Sequence, residues 1–510
     1  MSRFSTSSLC FAVPMVFLSQ AALADLTPAQ VWGDWQQYME GMGYSVQGQQ
    51  SASGNNLTVS DIQLGFEMPD QTGSMNMSMG TIVFVGQGDG SVAVVMPETL
   101  PMVMTGTEGG GSSSTFRLSM DYIQTGHSMI VSGTPDQMNY AYSADTFGLK
   151  LQQLEADGDV IGPETARFDV TGIGLVSNTS MTIGDLRDYQ QTGSVGGITY
   201  DLFVDNPEEG NQVSLNGNLQ NLQMSAEGAI PLLLEKASDT SAMIKAGFEI
   251  TGAFNAGSSA TAMQVTDPVN GDMSLNTSSQ GSRLSVDLGA DGVSYGGGQT
   301  NLQVTMNVAD LPFPIELSMA QSAFNLAIPV SKSDEQQDFA FGLTMGDFQM
   351  SDLIWGIFDP AGQLPRDPAT LVIDLAGKAK LLVDYLDPKV AENMGADVPG
   401  EVEAVTINKL LLDAVGAKFE ADGQVALDNT DKTTIPGFPK PVGSISFTLD
   451  GANGLIDKLV SMGLIPADQA MMPRMMMGMI TVPAGGPDQL KSTIDFTADG
   501  QILANGQRIK

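Results

Sequence analysis

Apolar residues recur at every second position along most of this chain. Leu57 and Val59, then Ile62, Leu64 and Phe66, open the pattern; Met75, Met77 and Met79 continue it, and Ile82 and Phe84 follow. Alternation of this kind puts successive side chains on opposite faces of an extended strand. It runs from about residue 57 to 307, punctuated by Asp89-Gly90, Asp157-Gly158, Asn216-Gly217, Asn270-Gly271 and Asp291-Gly292. Those dipeptides suit tight hairpin turns. The pattern predicts an antiparallel meander with one packed face and one wetter face.

Helical spacing is confined to a few segments. Thr27 is placed to cap a helix, Pro28 suits its first position and Gln30 completes a capping box. Val31, Trp32, Trp35, Tyr38, Met39 and Met42 then recur on one face, and Gly41 and Gly43 stop the helix. Between 57 and 307 a helical pattern otherwise appears only around 231–245. Beyond about Asp310, strands are expected at 324–329, 371–385, 402–412, 418–427, 444–449 and 492–497. Short helices are expected at 352–358, 388–394, 454–462 and 467–478. The expected fold is therefore mainly β: a long curved antiparallel meander with a few short packed helices, a shape that can form a groove. Three segments follow: 1–24, a helix-capped β region 25–310, and a β region with short helices 311–510 that can equally continue the first sheet.

Segment 1–24 changes where the protein is expected to work. Arg3 gives a basic start. Phe11, Ala12, Val13, Met15, Val16, Phe17 and Leu18 form an apolar core, and Ala22-Leu23-Ala24 is a small-x-small cleavage site. That is the pattern of a secretory signal peptide cut after Ala24, which implies a periplasmic protein and removes the only cysteine, Cys10. No later segment has the roughly 18 apolar residues of a membrane helix, so no membrane span is expected. The net charge of −36 repels nucleic-acid phosphates, so no nucleic-acid partner is expected. Aromatics make up only 6% of residues, and the chain closes on Gln507-Arg508-Ile509-Lys510. Both features argue against an outer-membrane barrel with aromatic girdles.

Catalytic chemistry is thinly supplied. His127 is the single histidine and sits between strand segments. No Gly-x-Ser-x-Gly nucleophile elbow stands out to accompany it, because the one match in letters, Gly292-Val293-Ser294-Tyr295-Gly296, falls within the strand-and-turn text, and one histidine without cysteine cannot build a zinc site. Carboxylates are abundant, so a glycosidase-like pair is an alternative, but no two stand out. No cofactor is expected. Methionine is the outlier, with 31 in the chain. Met75, Met77 and Met79 share one strand face, and Met471, Met472, Met475, Met476, Met477 and Met479 cluster around Arg474. Thioethers fill cores, line adaptable apolar grooves, or bind soft metals such as Cu(I). The leading expectation is a non-catalytic binding or structural protein of the envelope. An apolar groove on its sheet would hold a lipid or a partner protein chain, lined by Trp32, Trp35, Trp355, Met475, Met476 and Met479. The alternatives are a carboxylate-based hydrolase of envelope glycans and copper binding at Met75, Met77 and Met79.

The C-terminal third carries further wording: Asp338-Phe339, Ser351-Asp352-Leu353-Ile354-Trp355, Phe358-Asp359-Pro360 and Leu364-Pro365-Arg366-Asp367-Pro368-Ala369-Thr370. Gly463-Leu464-Ile465-Pro466, Arg474-Met475-Met476 and Ala504-Asn505-Gly506-Gln507 follow. This text, with the Trp32 to Tyr38 start, resembles the bacterial domain-of-unknown-function family 2125 of secreted alphaproteobacterial proteins. That resemblance implies an envelope location; the family has no established activity, so no mechanism and no catalytic residues are carried over. The Asp499-Gly500 and Asn505-Gly506 ending is also similar to long β-rich envelope proteins of AsmA-like type, which implies a curved sheet around an apolar groove.

Overall fold

The computed structural model describes residues 25–67, 73–108, 114–206, 209–231, 240–387, 390 and 400–510. Segment 1–24, expected to be a signal peptide, lies outside them, as does nearly all of the helix expected at 388–394. The chain is mainly β, with all described strands joined into one antiparallel sheet. Five short helices lie wholly within the described residues: α1 (Pro28–Gly41), α2 (Thr240–Lys245), α3 (Asp352–Phe358), α4 (Ala452–Ser461) and α5 (Met471–Ile480).

Helix α1 starts as its capping residues dictate. The Gln30 amide N–H donates to Thr27 Oγ1, and the Thr27 amide N–H donates back to Gln30 Oε1 at 2.8 Å. Its apolar stripe then docks on one end of the sheet. Val31 and Trp32 meet Val59, Ile62, Ile82, Phe84, Val92, Val131 and Met138 in the largest buried cluster. Each fully buried side chain of this size contributes roughly 1.5–3 kcal/mol, so this end is the anchor of the fold.

The meander is read directly from the pairing. Strand Gln137–Ala156 pairs with Ala166–Ile183, that with Leu186–Asn206, and that with Asn211–Pro231. Further along, Gly292–Val308 pairs with Ile315–Ile328, so the sheet passes through residue 310 without a break. Ser45–Ser53 has Asn56–Glu67 as its only partner among the described residues, which leaves an open edge. Asp157 and Gly158, both at positive φ, form a tight hairpin turn as expected. Asn216-Gly217 does not. It lies inside strand Asn211–Pro231, opposite Asp201 and Tyr200. A Cβ on Gly217 would sit 2.4 Å from the Tyr200 hydroxyl oxygen. The glycine serves close approach of an aromatic side chain, a role that a turn dipeptide mimics in sequence.

Several strands are about 20 residues long, far beyond the usual length of 5–6. In several of the strands the alternation slips by a residue at one place. In Asn211–Pro231 the apolar positions are Leu215 and Leu219, then Leu222 and Met224; between them Asn221 has φ 53°. The same slip occurs at Asp61 (Val59 to Ile62), Gly174 (Val170 to Leu175), Asn301 (Tyr295 to Leu302) and Asp347 (Met345 to Phe348), all at positive φ. A left-handed residue re-aims the side chains after it and bends the strand, as a bulge does. The slip in sequence and the backbone reversal cancel. Leu219 and Leu222 therefore pack in one cluster, with Val195, Ile198, Phe147 and Ala256. At these slips the apolar side chains thus stay on one face of the sheet.

Candidate functional site: the apolar face of the sheet

Residues directly opposite one another on paired strands share a face. Val286, Tyr295, Leu326, Phe341, Leu375, Ile407, Gly423, Ile445 and Ile494 are opposed in succession. At about 4.8 Å per strand this row extends roughly 40 Å across the sheet. A parallel row runs through Leu284, Gly297, Phe324, Leu343, Ile373, Leu410, Ala421 and Phe447. The intervening positions, such as Asp287, Asp338, Asp374, Lys378, Glu420 and Asp422, are polar and point the other way. The wetter face is thus charged, and the face meant for packing is apolar.

Among the described residues, part of that apolar face lies open with no second layer over it. Leu284, Tyr295, Phe324 and Phe341 are 52%, 47%, 46% and 40% exposed. Aromatic rings lie across neighbouring glycines rather than standing upright. A Cβ on Gly297 would be 2.6 Å from the Phe324 ring, and one on Gly377 2.3 Å from the Phe339 ring. The rings thereby present broad apolar surface close to the strands.

Traced back from Val286, the same face passes through Gly252, Ala226, Gln191, Thr179 and Tyr140 to the buried Val131 beneath α1. A cavity of about 500 Å³ opens there, lined by Trp35, Tyr38, Met39, Met129, Met181 and the polar groups Asp34, Tyr140 and Arg187. Arg187 donates to Asp34 from both terminal nitrogens, at 2.5 and 3.2 Å, and its guanidinium lies 4.9 Å from the Tyr38 ring centre. The Tyr140 hydroxyl donates to Asp34 at 3.1 Å. Burial, and then the Asp34 charge, push the Tyr140 hydroxyl above its ordinary pKa. This network pins α1 to strand Leu186–Asn206.

The residues expected to line a groove are distributed otherwise. Trp32 is 3% exposed and belongs to the core under α1, 6.0 Å from the Phe84 ring. Trp35 does line the cavity, edge-on to Phe84. Trp355, 8% exposed, is held on α3 beneath Arg366 and against Phe358. Met475, Met476 and Met479 are 57–64% exposed on α5, a helix without a buried residue. Arg474 ties that helix to α4 through Asp457. Met75, Met77 and Met79 are half-buried on the apolar face, opposite Phe66, Leu64 and Ile62. Met77 also faces Met104, and Met102 faces Met120, so the methionines form a patch across three strand layers. The lateral neighbours are set by pairing, which no local window of sequence carries.

His127 sits at a strand break with Nε2 3.0 Å from the Met96 carbonyl oxygen. The carboxylates with shifted proton affinity bind the proton more weakly than usual. At Asp359 burial opposes this, but the amide N–H groups of Gln363 and Leu364 and the Arg366 charge outweigh it. At Asp431, hydrogen bonds from Thr434 and Thr433 act together. A glycosidase acid requires the opposite shift. Among the described residues, no group of three or more His, Cys, Asp or Glu could hold a metal ion, and no helix is long and apolar enough to cross a membrane. No protein-family model matches this chain, and neither does any curated protein.

Proposed function

We propose that this protein is a non-catalytic lipid-holding protein of the bacterial envelope, with acyl chains seated on the apolar face of its sheet. The observation that carries the reading is the row from Val286 to Ile494: apolar residues in lateral register, with Tyr295 and Phe341 47% and 40% exposed and no layer of the described residues over those two. A contiguous apolar patch of this extent is a binding surface in a soluble protein. The methionine patch at Met75, Met77, Met79, Met102, Met104 and Met120 suits the same role, because thioethers adapt to varied apolar shapes.

The test uses protein purified from its own periplasm, extracted with organic solvent and analysed by mass spectrometry, beside native mass spectra of the intact protein. Co-purifying diacyl lipid is the expected result. Leu326→Asp with Phe341→Asp places two carboxylates in the centre of the row. The pair should lower retention of a refilled fluorescent phospholipid at least about tenfold, given the 1.5–3 kcal/mol each apolar side chain contributes. Lipid-free protein that also fails to take up lipid, or unchanged retention by the folded double variant, refutes the reading.

A further inference from the structure

We propose that the rim built by α3 and α5 docks on a lipid bilayer, with the methionine stripe of α5 seated where headgroups meet acyl chains. This adds a membrane partner to the lipid-holding reading and does not require it. At 3.6 residues per turn, Met471, Met472, Met475, Met476 and Met479 fall within about 140° of the circumference of α5. All five are more than half exposed among the described residues. A surface helix ordinarily turns such a stripe to the core. Here bonds on the other side of the helix hold it outward. Arg474 pairs with Asp457 on α4 at 2.5 Å. The Ile480 carbonyl oxygen accepts from Ser492 Oγ at 2.5 Å and from Asn505 Nδ2 at 3.0 Å. Leu353 and Ile357, one turn apart on α3, are also more than half exposed. The loop after α3 joins the same rim, because Ser461 Oγ at the end of α4 donates to Gln363 Oε1 at 2.9 Å.

Charge and continuity favour a bilayer as the occupant. From 469 to 487 the chain has no Asp or Glu, and Asp457 meets the charge of its one cation, Arg474. Asp488 is turned to the start of α4, where it accepts from the Asn453 and Gly454 amides. A helix face free of acids can enter the headgroup boundary to a depth of about 5–10 Å. Thioethers adapt to a fluid partner without a fixed shape. The apolar face of the sheet also runs up to this rim. Met345, Leu371, Leu412, Phe419, Leu449 and Leu490 are opposed in succession near the strand ends beside it, on the face of the two longer rows. Docking at α3 and α5 brings this end of the apolar face to the bilayer.

The test floats the purified protein with phosphatidylcholine vesicles. Co-flotation is expected, and it should persist from about 0.1 M to about 1 M salt, over which the reach of charge shrinks from about 10 Å to about 3 Å. Met472→Gln, Met475→Gln, Met476→Gln and Met479→Gln combined should weaken partitioning at least about tenfold, because an amide is disfavoured in the acyl boundary. Leu at the same four positions should preserve it. Met476→Trp adds a reporter to a chain whose Trp32 and Trp355 are buried. Its emission should shift to the blue on vesicles and be quenched by lipids brominated on the acyl chain. That reporter decides the matter if the fourfold Gln variant misfolds. Docking is overturned by a parent that does not float, by equal partitioning of parent and folded Gln variant, or by an unquenched reporter. Association reversed by salt, or a parent that dimerises through α5 instead of floating, also overturns it. Leu326→Asp with Phe341→Asp should still float. Lost lipid retention with flotation intact therefore removes only the lipid-holding reading, and lost flotation with lipid retained removes only docking.

Discussion

Replacing Asp34 by alanine tests how α1 is fastened to the sheet. Asp34 and Arg187 are 7% and 1% exposed, and they are 153 residues apart in the chain. Alanine removes both Arg187 hydrogen bonds and the one from Tyr140. It leaves a guanidinium with a desolvated charge, whose Nε already has no hydrogen-bond partner among the described residues. Breaking a buried pair by removing one partner costs about 3–5 kcal/mol, a large share of a total stability of roughly 5–15 kcal/mol. Two of the three tryptophans, Trp32 and Trp35, lie on α1, so tryptophan fluorescence in urea reports mainly on this end. With a slope of about 1–3 kcal/mol per M, the Asp34→Ala midpoint should fall by about 1–5 M. Asp34→Leu combined with Arg187→Met removes both charges and should recover most of the loss. A single variant within about 0.3 M of the parent, on a slope of that size, would show that the pair is solvated and that apolar packing alone holds the helix.

Three further outcomes follow from the geometry. Tyr140 and Tyr142 have raised pKa values, chiefly through burial. Their hydroxyls stay protonated in the fold while the unfolded chain releases its protons near pH 10. Their contribution is complete below that pH and is lost as pH rises beyond it. Thermal unfolding followed from pH 9 to 11.5 should show a falling midpoint whose slope diminishes in Tyr140→Phe with Tyr142→Phe; an unchanged slope would count against buried hydroxyls. Asn221, at φ 53° in mid-strand, should tolerate glycine, whereas valine should cost about 1–3 kcal/mol through backbone strain, measured by chemical denaturation. Gly297→Val should displace the Phe324 ring and lower stability by about 1–3 kcal/mol, as overpacking does; an unchanged midpoint would mean that the ring does not lie across the glycine.

Much of the architecture is legible in the chain itself. The α1 start at Thr27, Pro28 and Gln30, the alternation of Leu57, Val59, Ile62 and Leu64, and the Asp157-Gly158 turn are local events set by backbone sterics and hydrogen bonds a few residues away. The polar character of one sheet face and the apolar character of the other follow from the same alternation. What only the tertiary structure decided is lateral. The slip between Leu219 and Leu222 reads as a lapse in the pattern until Asn221 is seen at positive φ, keeping both leucines on one face. Gly217 reads as a turn until Tyr200 is placed opposite it. The three tryptophans are alike in sequence, yet Trp32 is core, Trp35 borders the cavity and Trp355 lies beneath Arg366. Met475, Met476 and Met479 have helical spacing but receive no partner surface among the described residues. Asp34 and Arg187 find each other across 153 residues. Helix and strand periodicities act within a window of a few residues, whereas register, burial and charge pairing depend on which distant strands lie side by side. The row from Val286 to Ile494 becomes one surface only when nine strands are in register.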